Sequence, residues 1–311
     1  MKVFCGLEEL RPGLVEEPVS TVGVFDGVHR GHRQLLYELG VWARAVPGTP
    51  AVITFERPPI EAIRGIRVPL LLSLEHRLLV LERHGVEACV VLDFEAVREL
   101  EAGEFLREVL VGRLGGTRLL LGFDSRVGRG GAGDARRLPE IGRALGVEVR
   151  IGSRVLDRDG GKIGSSAIRE AIARGDLERA ANLLGRPVSV MGRVVRGSGR
   201  GRGLGAATAN LEVADRALPP DGVYLVRVFR GSTTAPGLAN LGKRPTFEAG
   251  GERLLEVHVP GWSEEMYGEH LEVRLVRRLR EERRFADGAA LRERIESDLE
   301  ALAQAVARGE I

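Results

Sequence analysis

Two textures divide the chain. In the first half, short β-branched or leucine-rich runs alternate with stretches whose apolar residues recur every three or four positions. The runs predict strands at 19–25, 50–55, 88–92, 118–122 and 147–151, and the periodic stretches predict helices at about 32–46, 73–84, 101–114 and 137–145. Such alternation argues for a parallel sheet covered by helices on both faces, with ligands at the carboxyl ends of its strands. From Ser165 to Leu184 the pattern is helical, through Ile168, Ala171, Ile172, Leu177, Ala180 and Ala181, and Gly175-Asp176 splits it in two. At Gly185-Arg186-Pro187 the texture changes to strand-like runs, VSVMGRVV, GVYLVRVF, LLEVHV and HLEVRLV, separated by glycine and proline turns. These predict an antiparallel barrel or sandwich. A last helix, about 287–307, aligns Leu291, Ile295, Leu299, Leu302 and Val306. The expected domains are 1–185 and 186–311.

The segment VGVFDGVHRGHRQLL, 22–36, adds chemistry to this frame. A strand-like run turns on Gly27 and Gly31, sets His29 and His32 three residues apart, and enters a helix with Leu35, Leu39, Trp42 and Val46 on one face. Glycines let a backbone come close, a helix N-terminus presents unpaired N–H groups, and imidazoles can donate to phosphate oxygens. Attack on the α-phosphorus of a nucleoside triphosphate needs only positioning and preorganised donors of this kind, with a metal ion. The plain structural alternative makes His32 a first-turn polar residue and His29 a surface loop residue.

Composition narrows the field. With 311 residues, 43% hydrophobic and 29% charged, the chain fits two ordinary globular domains. A net charge of +2 calls for no nucleic-acid surface, and the glycine- and arginine-rich stretch 192–205, read as a flexible loop, has few aromatics to stack bases. Cys5 and Cys89 have no metal-ligand spacing, so a reducing cytoplasm is expected. No stretch reads as a signal peptide or a membrane span.

Further clusters follow the same strands. TFERPP, 54–59, ends the second parallel strand, and its prolines are expected to stop any helix there. GFDSRVG, 122–128, offers Asp124 to a ribose, a base edge or a metal, or simply to its own turn. The glycine-rich loop 128–133 suits a lid or a phosphate contact. In IGSSAIRE, 163–170, Ser165 or Ser166 is expected to cap a helix, and Arg169 in its first turn points to an anion nearby. In the second half Thr208 and Asn210 place neutral oxygens two residues apart, on one side of an extended segment, where they could help hold Mg²⁺. The alternative is an asparagine turn. Glu256 shares a strand face with Leu254 and His258 and could act as a general base beside a bound hydroxyl, or be a solvated face residue.

In this order the clusters resemble the prokaryotic bifunctional riboflavin kinase/FAD synthetases over nearly the whole chain. His29, Arg30, Gly31 and His32 match the family's H-x-G-H element, and GSSAIR, 164–169, is similar to its serine/threonine-rich phosphate segment. GVYLVRV, NLGKRPTF, LLEVHV, MYG and LREERRF are similar to its kinase module. The resemblance implies a nucleotidyltransferase-like α/β domain that adenylylates FMN and a barrel that phosphorylates riboflavin, with ATP and Mg²⁺ as the other requirements and riboflavin, FMN and FAD as ligands. It implies that His29 and His32 are catalytic and bind the ATP phosphates, that Gly23, Phe25, Asp26 and Gly31 help bind the nucleotide, and that Ser165, Ser166 and Arg169 lie on the triphosphate with Asp124 in a flavin- and nucleotide-binding loop. In the barrel, Gly205, Thr208 and Asn210 would hold ATP and Mg²⁺, and Glu256 would activate the ribityl 5′-hydroxyl.

The chain departs from the family in three places. P-T-A-N becomes Ala207-Thr208-Ala209-Asn210 after Ala206, where an aromatic is usual. TFERPP lacks the histidine of T-F-x-P-H-P, and GFDSRVG has Ser125 and Val127 where aromatics are common. Two alternatives therefore stand beside the bifunctional enzyme: an adenylyltransferase with an impaired kinase module, and a flavin- or nucleotide-binding regulator without turnover.

Overall fold

The computed structural model describes residues 1–196, 208–243, 253–262, 266–283 and 287–311. They form two compact units: Met1–Val68 with Leu74–Ser165, and Pro69–Ser73 with Ser166–Ile311.

The first unit is a six-stranded parallel sheet. Its strands are β1 (Lys2–Cys5), β2 (Pro18–Val22), β3 (Thr49–Phe55), β4 (Ala88–Leu92), β5 (Arg118–Leu121) and β6 (Glu148–Ile151), ordered β1-β4-β3-β2-β5-β6. The helices are α1 (Arg30–Ala45), α2 (Pro59–Arg64), α3 (Leu74–Arg83), α4 (Ala102–Glu104) running on as wide turns over Phe105–Arg113, and α5 (Leu138–Ala144). β2, β3 and β4 are buried at nearly every position, as central parallel strands must be. The chain runs outward from β2 through β3 to β4 and then returns to add β5 on β2's other side. The loops after β2 and β5 therefore diverge, and the crevice this opens is the usual ligand position of such sheets.

The sequence pattern located five of these strands and missed two elements. β1 is an exposed edge strand with no apolar period to mark it. α2 corrects the reading of TFERPP: the prolines start a helix, with Pro59 at its first position, where the missing N–H has no partner to lose.

The second unit opens with α6 (Ser165–Ala173), whose first residue still belongs to the first unit, and α7 (Leu177–Leu184). They are split where expected: Asp176 caps α7 by accepting from the Arg179 N–H at 2.9 Å. A closed barrel follows, made of β7 (Ser189–Val195), β8 (Thr208–Glu212), β9 (Gly222–Arg230), β10 (Thr233–Lys243), β11 (Arg253–His258) and β12 (His270–Arg280), ordered β10-β11-β8-β7-β12-β9 and antiparallel throughout. The run VSVMGRVV, read as strand-like, is β7 as far as Val195, so residues 192–195 belong to the strand and not to the loop also read there; 197–205 lie outside the described residues. β8 and β10 carry no alternation strong enough to have shown in the sequence.

Inside the barrel sit Ala209, Leu211, Tyr224, Ala239, Leu241, Leu255 and Val257. Outside, the helix α8 (Gly288–Ala307) covers Val223, Leu225 and Leu238 with Leu302 and Ala305. Val306, expected on the packed face of α8, is exposed. The buried stripe passes instead through Asp298, whose carboxylate takes three bonds from two nitrogens of Arg280 at 2.8–3.1 Å and an ion pair with Arg294 at 3.3 Å.

Candidate functional sites

The loop after β2 is built around its histidines. Phe25, Gly27 and Val28 all have positive φ, +52°, +86° and +39°. That region suits glycine but strains a β-branched valine, by roughly 1–3 kcal/mol. The turn closes with the Val28 N–H on the Phe25 carbonyl at 3.1 Å. It delivers His29 to the N-cap of α1, where Nδ1 accepts the His32 N–H at 3.3 Å. Accepting at Nδ1 leaves the proton of a neutral ring on Nε2, a donor. The His29 and His32 rings stack at 3.6 Å, and Phe25 tilts against His32 at 5.0 Å. Gly31 permits this: a Cβ there would stand 3.3 Å from the His29 ring.

His29 is buried, contrary to the surface-loop alternative. Burial, then the neighbouring His29 and Arg77, hold the His32 imidazole well below the ordinary histidine pKa, so it is neutral at neutral pH. Its Nδ1 is buried without a hydrogen-bond partner. A polar nitrogen so placed, at a helix N-terminus, fits a phosphate oxygen.

The other first-unit candidates surround this loop. Gly23 donates its N–H to the Ile53 carbonyl at 3.0 Å, tying the loop to β3. Asp26 is buried, and its carbonyl accepts the Ser165 hydroxyl at 2.8 Å. Ser165 begins α6, so neither serine occupies the cap before that helix; the hydroxyl reaches the loop instead. Asp124, in the loop after β5, pairs with Lys162 at 2.7 Å rather than with its own turn. Val127 is buried in the sheet's core and pairs with Gly133, which ties down the loop read as a lid. Ser166 and Arg169 fall in the second unit, where Arg169 Nε donates to the Pro69 carbonyl at 2.7 Å.

Beside this loop, the ends of β3 and β4 frame a cleft of about 440 Å³. Pro58, Pro59, Ile66, Leu92 and Phe94 give it apolar walls, and Arg57 a charged one. Arg57 grips buried Glu61 through two bonds of 2.6 and 2.8 Å, and the Val68 N–H adds a third at 2.9 Å. Chiefly through Arg57, and against the effect of burial, the Glu61 carboxyl is held down to about 2.

In the barrel the second candidate site lies across strands. Glu256 on β11 is in direct register with Asn210 on β8 and with Asn240 on β10. One step along, His258 faces Thr208. Their strand neighbours Ala209, Leu211, Leu255 and Val257 fill the interior, so alternation puts this row on the outer face. An asparagine turn is excluded, because Asn210 is mid-strand. Its Oδ1 is buried with no hydrogen-bond partner. With Thr208 on the same face, that orphan oxygen fits a hard cation that takes its remaining ligands from phosphate and water. Among the described residues no cluster of three or more His, Cys, Asp or Glu could hold a metal by itself. Gly205 lies outside the described residues.

Two residues of these sites escaped the sequence reading. Asn240 sits in a strand that was not recognised. Arg77 occupies the buried stripe of α3 with His76, Val80 and Leu81, and a charge on an apolar stripe was the available signal.

A parallel sheet with a histidine-capped loop at its switch point, joined to a barrel bearing a carboxylate beside neutral oxygen donors, is the architecture of a two-site nucleotide-handling enzyme. Comparison with known proteins gives the family. The FAD synthetase family model matches residues 13–167 and the riboflavin kinase model residues 184–306. The chain is 37% identical to the bifunctional riboflavin kinase/FMN adenylyltransferase of Pseudomonas fluorescens, over 97% of this chain and 96% of the relative. It is 36% identical to that of Escherichia coli K12, over 96% of each. A solved structure described as a macrolide-efflux protein from Streptococcus pneumoniae superposes with a TM-score of 0.81 at 30% identity, covering 97% of this chain and 99% of that one. The chain belongs to the bifunctional riboflavin kinase/FMN adenylyltransferase family. Among the described residues no helix is long and apolar enough to cross a membrane.

Proposed function

We propose that residues 186–311 transfer the γ-phosphoryl group of ATP to riboflavin, giving FMN and ADP, and that residues 1–185 join FMN to AMP from a second ATP, giving FAD and pyrophosphate. The observation that carries this reading is the difference in chemistry between the two sites. Riboflavin attacks through a neutral hydroxyl, which must lose a proton, and the barrel row offers Glu256 in register with Asn210. FMN attacks through a phosphate that is already ionised, so adenylyl transfer needs donors rather than a base.

In the kinase step Glu256 accepts the proton of the 5′-hydroxyl as its oxygen bonds to the γ-phosphorus and the bond to ADP breaks. Asn240 lies on the far side of Glu256 in the same row and helps set its position. Thr208 and Asn210 would hold Mg²⁺, which when bound neutralises charge on the phosphate oxygens. In the adenylyl step a phosphate oxygen of FMN bonds to the α-phosphorus and the bond to pyrophosphate breaks. His29 donates from Nε2, neutral His32 donates from one ring nitrogen, and the first turn of α1 adds backbone N–H groups. Gly23, Phe25, Asp26 and Gly31 shape this loop, and the family pattern also assigns Ser165, Ser166 and Arg169 to the triphosphate. We assign the isoalloxazine ring to the cleft between Pro58 and Phe94, whose apolar walls suit a flat aromatic ring, with Arg57 as its charged wall.

The test is incubation of the purified chain with riboflavin, ATP and Mg²⁺, beside a run that starts from FMN, with the flavins separated by chromatography. FAD from both is the expected result. FAD from FMN alone would reduce the enzyme to an adenylyltransferase and direct attention to Ala206-Ala207. FAD from neither would leave only the binding regulator.

A further inference from the structure

Among the described residues Arg77 is the largest fully buried side chain, and it forms no ion pair with a carboxylate there. Its guanidinium donates instead to three backbone carbonyls. NH1 reaches Val24 at 2.8 Å; NH2 reaches Phe55 at 2.6 Å and Glu56 at 3.1 Å. Those carbonyls lie at or just past the ends of β2 and β3, where a parallel sheet runs out of strand partners for its last acceptors. Val24 opens the strained turn that ends at His29, and the Thr54 hydroxyl adds a second bond to the same carbonyl at 3.1 Å. Neutral donors could satisfy these carbonyls as well, so a buried cation here calls for a further reason.

We propose that Arg77 is a positioning residue of the adenylyl-transfer site: it locks the loop after β2 to the adjoining loop after β3. The Gly23 N–H and the Thr54 and Ser165 hydroxyls also hold this loop, and Arg77 adds a charged tie that spans from Val24 to Phe55 and Glu56. The groups facing His32 are the stacked His29, the Phe25 ring and, through space, Arg77, whose own charge is favoured in turn by Asp26, Cys89 and Glu56. Burial and then His29 are the larger causes that disfavour a protonated His32, and the Arg77 charge adds to them while leaving a positive field available to phosphate.

This inference rests on the adenylyl-transfer reading for its kinetic half only. Arg77→Met, in the full chain, removes the charge and keeps the stem. It is expected to slow FAD formation from FMN about ten- to a hundredfold in kcat. It should also move the His32 titration, followed by NMR in the ligand-free protein, upward, because losing a cation favours the protonated ring. Arg77→Lys keeps the charge and loses the fork. It is expected to leave the His32 midpoint in place while still reducing kcat. Amide dispersion in the same NMR samples reports on folding of the first unit. A parent-like His32 midpoint in folded Arg77→Met overturns the proposal, whatever happens to kcat, and so does parent-like kcat in both variants. Should Arg77→Met fail to fold, an undiminished kcat in Arg77→Lys overturns it. If the parent itself makes no FAD but His32 shifts as expected, the adenylyl reading fails and the assignment of Arg77 stands.

Discussion

The two candidate sites are positioned by opposite means. In the barrel, Glu256, Asn210 and Asn240 sit in the middle of paired strands, and register alone makes them neighbours. In the α/β unit, His29 and His32 stand on a loop that holds Phe25 and Val28 at positive φ and needs a buried arginine to tie it down. A ladder is over-determined by its hydrogen bonds, so a single side-chain change there removes chemistry and leaves geometry. A strained loop is held by a few contacts, so geometry and chemistry fail together. The difference also follows the reactions. A base acting on a hydroxyl must be a side chain at one fixed place, whereas phosphate is bound by many N–H groups that a loop and a helix end gather.

The sharpest separation of the two should come from Glu256→Gln, which is isosteric and sits mid-strand. Riboflavin phosphorylation is expected to fall about a hundred- to ten-thousandfold, with adenylylation of supplied FMN unchanged in the same assay. His32→Ala is the converse, with an expected loss of about a hundredfold in FAD formation from FMN and an unaffected kinase step. Either change removing both activities from a folded chain would break the two-site assignment.

The smallest effect concerns the cleft of the first unit. Glu61→Gln should lower its unfolding free energy at pH 7 by roughly 2 kcal/mol, since a charge-assisted network loses its acceptor. Because the folded carboxyl is depressed to about 2 from 4.5, its contribution is complete above about pH 4.5 and is lost as pH falls through about 2. Urea unfolding of parent and variant should therefore differ at pH 7 and converge in acid. An equal difference at both ends would show that the effect comes from packing and not from charge.

Much of this was legible in the residues. Strands buried on both faces, such as AVITF and CVVL, announce themselves by composition, and helices by a period of three or four. The H-x-G-H element carried its own context, a strand before it and a helix after. Residues whose meaning depends on a partner were harder to read. TFERPP looked like a helix stop because proline terminates helices from within and starts them from the first position, and the sequence does not say which. Asp298 lay hidden on α8 because a carboxylate on a packed face makes sense only once Arg280 stands opposite.

The sequence by itself determined the two textures, the order of most strands and helices, and the residue types able to do phosphoryl and adenylyl chemistry, because these follow from local periodicity and side-chain identity. Only the tertiary structure decided that Asn240 shares a row with Glu256 and Asn210, that the two histidine rings stack, and that Arg77, more than forty residues from either histidine, clamps the loop that carries them. Register across strands and burial of a charge are properties of segments brought together from far apart in the chain, and no local pattern encodes them.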